Sequence, residues 1–192
     1  MRPATLAAAL LLAFVAGCSG GGDANTPGDG EIPLPPLASD SPATSAPAAA
    51  GVVYTLSGEL CEKADQSPLV DLYPKEDAAR LVNTEKLCVT RRTSTERSVS
   101  LTIDADLLQT EAAAKLFVET GRRLAKRPYT DVDGAGTDAF WSSDKDDVKL
   151  TSYHGNLVLE VEAAVNVADG MPADIVPRLV RIAAGTYAKL AP

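Results

Sequence analysis

Apolar and polar residues alternate along five stretches of the chain. An alternation with a period of two residues is typical of a β-strand that buries one of its faces. The predicted strands cover 87–90, 99–103, 138–142, 148–153 and 157–165. The polar stretches 92–97 and 144–147 and the pair Gly155-Asn156 separate neighbouring strands, and such short connections indicate antiparallel hairpins.

Apolar residues at helical spacing predict helices around these strands. A short helix over 58–66 precedes them, and 74–81 is expected to add another helical turn. After Asp106 a helix runs to Pro128, and a last one begins at Asp174. The apolar stripe of the middle helix consists of Ala113, Leu116, Phe117, Thr120 and Leu124. The order helix, two strands, helix, three strands, helix predicts an α+β domain with helices packed on an antiparallel sheet.

The N-terminus has the layout of a bacterial lipoprotein signal. Arg2 is followed by an uncharged apolar run over 5–14, which is too short to cross a hydrocarbon core of about 30 Å. Residues 15–18 read Val-Ala-Gly-Cys, the pattern called a lipobox. We therefore expect export, cleavage after Gly17, and lipid on Cys18 that anchors the protein to the outer face of the cell membrane. The alternatives are an ordinary signal peptide that ends near a cysteine and a buried apolar helix.

Composition divides the rest of the chain into two parts. Residues 18–50 are mostly Gly, Ala, Ser, Pro and Thr, so they bury too little apolar surface to offset the entropy of ordering. We expect them to form a disordered tether after the 1–17 signal peptide. Residues 51–192 mix apolar and charged side chains and have the size of one ordinary domain.

The charge balance of the chain is acidic. Asp and Glu outnumber Lys and Arg by 26 to 18, which gives a net charge of −8. Nucleic-acid binding needs a basic surface that releases counterions, so this balance argues against a nucleic-acid partner.

Two of the three cysteines remain once Cys18 carries lipid. An exported chain enters an oxidising compartment, so we expect a structural disulfide between Cys61 and Cys88. Two free thiols or a redox pair are the alternatives, although redox pairs of the thioredoxin type place their cysteines two residues apart.

The order of elements, the lipobox and the two remaining cysteines resemble a family of small actinobacterial lipoproteins that carries a domain of unknown function. The matching features are 15–18, Cys61, Cys88, the Gly-Ala-Gly stretch after Asp133, and 172–190. The resemblance implies a PsbP-like αβ sandwich, a location in the cell envelope, and a binding or scaffolding role. It carries no catalytic residues across.

Several short motifs fit known sites only formally. Residues 134–139 match the GxGxxA nucleotide pattern, but 140–141 look like a strand where a helix is needed. The same region lacks oxygen ligands that a calcium loop requires. The SxxK sequence of 142–145 approaches a hairpin turn and does not open a helix. His154, the only histidine, stands at a predicted turn, so we expect an exposed imidazole. No catalytic residue, metal site or cofactor is predicted.

Aromatic residues supply the only candidate ligand platform. Alternation sends Phe140 and Trp141 to opposite faces of their strand, so we expect one in the core and the other exposed. An exposed ring is a surface on which a ligand stacks, and Trp141 and Tyr153 are the candidates. Packing in the core is the alternative for each of them.

These features predict a membrane-anchored, extracytoplasmic module without enzymatic activity that binds an envelope protein or glycan. Two other functions fit the same sequence. One is a small-molecule binding module whose pocket lies between the sheet and the helices. The other is a glycan hydrolase that uses carboxylates alone, which requires two acids facing each other across a cleft.

Overall fold

The protein has an α+β fold in which helices lie on both faces of one antiparallel sheet. A computed structural model describes residues 51–77, 82–166, 168 and 170–192. The predicted signal peptide, Cys18 and the tether lie outside the described residues. Within the described part, no helix is both long and apolar enough to span a membrane.

The described residues form eight strands and three α-helices. The strands are β1 (Lys75–Glu76), β2 (Val82–Asn83), β3 (Leu87–Thr93), β4 (Ser98–Leu107), β5 (Tyr129–Asp131), β6 (Asp138–Ser143), β7 (Asp147–His154) and β8 (Leu157–Val165). The helices are α1 (Leu60–Lys63), α2 (Glu111–Leu124) and α3 (Ile175–Leu190). Across the sheet the strands follow the order β1-β3-β4-β8-β7-β6-β5, and β2 also pairs with β3.

The predicted α+β class and antiparallel sheet are confirmed, but the sheet is larger than the five strands expected. The three additional strands, β1, β2 and β5, are two or three residues long, which is too short to reveal an alternating pattern. The helical turn predicted over 74–81 is wrong at Lys75–Glu76, because these residues pair with Arg92 and Thr93 of β3. Residues 78–81 lie outside the described part of the chain.

The first helix is shorter than the predicted span of 58–66. It covers Leu60–Lys63, and a single 3-10 turn over Ser67–Leu69 follows. Cys61 of α1 and Cys88 of β3 are joined as a disulfide, with 2.12 Å between the sulfur atoms. The bridge fixes the N-terminal turns to the β3 side of the sheet.

One face of the sheet is covered by a continuous apolar core, and we call it the closed face. Alternate residues of β4 and β8 are buried there with α1 and α3. Leu179, Ile182 and Ala183 of α3 have no exposed surface. Tyr187 of α3 places its hydroxyl 3.2 Å from the Ser152 hydroxyl of β7, and burial raises the pKa of this phenol.

The other face, which we call the open face, is only partly covered. Among the described elements, α2 packs on it over β6, β7 and β8. Ala114 and Val118 of α2 meet Phe140, Tyr153 and Val158 in a small second apolar cluster. The polar residues of β4 on this face remain half-buried.

Candidate functional site

A groove of about 570 Å³ runs between α2 and the open face of the sheet. Its helical wall is mostly apolar and consists of Ala113, Leu116, Phe117, Thr120, Gly121 and Leu124. Its floor on the sheet combines Phe140 with the polar residues Ser142, Lys149, Thr151 and Glu160, and Leu108 lies at one end. The groove therefore offers an apolar side and a polar side to the same occupant.

The groove exists because α2 contacts the sheet through a narrow line of small residues. Ala114, Val118 and Gly121 fall on this line at helical spacing. A Cβ added at Gly121 would lie 3.4 Å from Cζ of Phe140, so the helix approaches the sheet closely there. The bulky side chains are on the neighbouring stripe and line the groove.

The bulky stripe of α2 stays in contact with solvent. Leu116, Phe117 and Leu124 are 56%, 39% and 73% exposed. Apolar side chains gain roughly 25 cal/mol for each Å² removed from water. A ligand or partner that covers this stripe would therefore gain binding free energy from it. The helix carries the predicted apolar stripe, but this stripe forms the wall of the groove and is not the line along which α2 contacts the sheet.

The floor of the groove is organised by an ion pair between two strands. Nζ of Lys149 on β7 lies 2.8 Å from Oε1 of Glu160 on β8. The Thr151 hydroxyl donates to the same carboxylate oxygen at 3.4 Å. Both charged side chains remain about one-third exposed, so they can also contact an occupant of the groove.

Further carboxylates lie beside the floor, where the groove opens towards β4. Asp104 of β4 is the direct cross-strand partner of Glu160. Burial, together with the charges of Asp106 and Glu160, raises the pKa of the Asp104 carboxyl. Glu162 follows on the same face of β8, two residues beyond Glu160.

Polar contacts hold α2 in place at both of its ends. The Thr110 side chain accepts a hydrogen bond from the backbone N–H of Ala113 at 3.1 Å and so caps the N-terminus. Near the C-terminus, Arg122 binds Asp138 through two nitrogens and Asp131 through a third, at 2.9 Å. The Arg122 guanidinium keeps the pKa of Asp138 below its usual range. The groove wall is therefore fixed relative to its floor.

A second cavity of about 330 Å³ continues from the C-terminal end of the groove. The two cavities share Ala125, Ser142 and Lys149 as lining residues. The second cavity is more polar, and Arg127 at its edge lies 2.7 Å from Asp147. A long occupant would thus pass from an apolar trough into a polar one.

The two candidate platform residues do not share a surface. Trp141 is half-buried and packs against the core of the closed face, where it is the cross-strand partner of Leu150. Tyr153 is buried in the cluster beneath α2 on the other face. Phe140, adjacent to Trp141, is also buried on that face. The structure therefore does not bring Trp141 and Tyr153 together as one platform.

His154 is half-buried, which corrects the expectation of an exposed imidazole. Its ring centroid lies 5.8 Å from that of Tyr54 and 5.7 Å from that of Tyr187. Nδ1 lies 3.2 Å from the Thr137 hydroxyl. These three rings border a cavity of about 320 Å³ against α3. Sequence alone did not reveal this packing because Tyr54 and Tyr187 are distant along the chain.

The formal motifs have ordinary structural roles. Residues 134–137 form bends that lead directly into β6, so no helix N-terminus follows the glycines. Gly136 has a φ of 112° and lies against the backbone of Tyr153, where a side chain would collide. The SxxK residues span the end of β6 and the turn after it. The described part of the chain contains no cluster of His, Cys, Asp or Glu that could hold a metal ion.

No protein-family model, curated protein or solved structure matches the chain.

Proposed function

We propose that this protein is a membrane-anchored, extracytoplasmic binding module that takes up a small amphipathic molecule in the groove between α2 and the sheet. The groove is the observation that carries the proposal. Its volume of about 570 Å³ lies within the range of roughly 300–1,000 Å³ that is typical of small-molecule sites. One wall is mostly apolar, and the floor presents two hydroxyls, an ammonium and a carboxylate.

This geometry favours the small-molecule function over the scaffolding function expected first from the sequence. A scaffolding surface needs a broad patch, whereas the exposed apolar residues of α2 line a concave trough. The candidate hydrolase function has less support. Asp104 and Glu160 lie side by side on one sheet surface, and the opposing wall of the groove carries no carboxylate. We therefore propose binding without turnover.

The location in the envelope rests on the N-terminal sequence. We propose that Cys18 carries the lipid, that residues 19–50 act as the tether, and that the domain is related to the actinobacterial lipoproteins with a PsbP-like sandwich. Metabolic labelling of cells with a fatty-acid analogue tests the anchor. Label is expected on the native protein and not on the Cys18→Ala variant, and equal labelling of both would contradict the anchor.

The binding site is tested by calorimetric titration of residues 51–192 with dodecyl maltoside below its micellar concentration. The double variant Leu116→Gln, Leu124→Gln removes the apolar wall. Each leucine contributes about 1 kcal/mol or more when a ligand covers it, so the Kd is expected to rise at least about tenfold.

The matched control is Val70→Gln, which changes an exposed apolar residue that does not line the groove. It should bind as the native protein does. All variants should keep the native circular-dichroism spectrum. Undiminished binding by the double variant would show that the ligand does not occupy the groove.

A further inference from the structure

We propose that the groove selects amphiphiles with a cationic head group, whose positive charge sits over the carboxylates of β4 and β8 while the apolar part lies along α2. The inference rests on the proposed function and names the chemical class of its ligand. The charges beside the groove carry it.

The mouth of the groove, where it opens towards β4, is acidic. On the open face, β4 and β8 present four carboxylates and no basic side chain: Asp104, Asp106, Glu160 and Glu162. The neighbouring strands add one base each, Lys149 on β7 and Arg91 on β3. The surface therefore has more negative charge than its own cations neutralise.

Among the described residues, Asp104 and Asp106 have no salt-bridge partner, whereas Glu162 is the cross-strand partner of Lys149 and lines the second cavity with Arg127. Glu160 is paired with Lys149 at 2.8 Å. Like charges on adjacent strands repel each other, and a cation bound between them relieves that repulsion.

The acids also lie beside the groove. Asp104 and Glu160 are directly opposed across β4 and β8, and Glu160 itself lines the groove. Side chains so opposed have Cβ atoms about 5 Å apart. A quaternary or primary ammonium that emerges from the trough would contact both carboxylates at once.

Anionic and uncharged head groups do not match this surface. Beside β4 an anion would be repelled by Asp104 and Asp106. The bases further along the groove are already paired, Lys149 with Glu160 and Arg127 with Asp144 and Asp147. An uncharged head group would leave the repulsion in place. Charge complementarity therefore favours the cation, since opposite charge suppresses wrong partners as well as attracting the right one.

The test is a titration series in which the alkyl chain is constant and the head group changes. The probes are dodecyltrimethylammonium, dodecylphosphocholine, dodecyl maltoside and laurate, each below its micellar concentration at low salt. The cationic probe is expected to bind about fivefold or more tightly than the maltoside, and laurate most weakly. Raising sodium chloride to 0.5 M should reduce the advantage of the cation, because salt screens exposed charges.

The double variant Asp104→Asn, Glu162→Gln should bring the Kd of the cationic probe to within about twofold of that of the maltoside. The matched control Glu96→Gln, in the turn between β3 and β4, removes an exposed carboxylate away from the groove and should change neither Kd.

Equal binding of all four probes, or tightest binding of laurate, would overturn the cationic selectivity and leave the proposed function intact. Binding of none of them would overturn both. If the double variant still binds the cationic probe several-fold more tightly than the maltoside, the head group does not lie over Asp104 and Glu162.

Discussion

The two faces of the sheet differ in what they do with apolar side chains. On the closed face, α3 buries Leu179, Ile182 and Ala183 completely, and Val176 and Val180 of the same helix pack against the core while partly buried. On the open face, α2 buries a line of small residues and leaves Leu116, Phe117 and Leu124 at the surface. Two amphipathic helices on the same sheet thus contribute differently, since α3 completes the core and α2 forms the wall of the groove.

This difference separates stability from binding within one small domain. Close packing on the closed face supplies most of the apolar burial in the domain. The open face can therefore retain a groove that side chains would otherwise fill. Substitutions on the two helices are therefore expected to have effects of different size and kind.

The largest expected effect is on the closed face. Ile182→Ala removes a fully buried side chain of α3 and should lower the free energy of unfolding by about 2–5 kcal/mol in urea titrations. Leu116→Ala on α2 should lower it by no more than about 0.5 kcal/mol. Similar losses for both variants would mean that the two helices pack alike.

The disulfide should rank next. Replacing Cys61 and Cys88 together by serine frees a loop with a sequence separation of 27 and should cost about 2–4 kcal/mol. The native protein under reducing conditions should show the same loss by urea titration. An unchanged midpoint in both experiments would show that the bridge does not support the closed face.

A smaller effect is expected at the start of α2. Thr110→Ala removes the cap on the backbone N–H of Ala113 and should cost about 1 kcal/mol. Thr110→Asn keeps an oxygen that can accept the same hydrogen bond and should restore most of the loss. Failure of asparagine to restore stability would attribute the effect to something other than the cap.

The smallest expected effect concerns pH. The pKa of Asp104 is raised in the folded protein, so the folded state holds its proton to a higher pH and stability falls as pH rises through that range. The groups that face it are Asp106, Glu160 and Lys149.

Asp104→Asn should therefore raise the thermal midpoint, relative to the native protein, more at pH 7 than at pH 3.5. The control Glu96→Gln should show no such difference between the two pH values. A larger gain for Asp104→Asn at the lower pH would reverse the sign and contradict the crowding of carboxylates on the open face.

Much of the fold follows from local patterns in the sequence. The long strands β4 and β8 alternate clearly, and the turn at Gly155-Asn156 is correct because its residues suit a tight hairpin. The short strands β1, β2 and β5 were missed, since pairs and triplets of residues take their conformation from the neighbour that they pair with.

The groove could be predicted only in part. The apolar stripe of α2 is visible in the sequence, but the direction in which it faces relative to the sheet is not. That direction depends on Ala114, Val118 and Gly121 offering a closer approach to Phe140 than the bulky stripe does. The acidic mouth depends on the register of β4 against β8, which places Asp104 beside Glu160 although the two residues are far apart in the chain.

The most direct test of the account is to locate the bound ligand by methyl NMR. Residues 51–192, labelled at leucine, isoleucine and valine methyl groups, are titrated with dodecyltrimethylammonium below its micellar concentration. We expect the largest shift changes at Leu116 and Leu124 in the groove, and small ones at Leu159 and Ile182 on the closed face. Shift changes concentrated on the closed face, or none at saturating probe, would contradict the proposal that the groove beside α2 is the binding site.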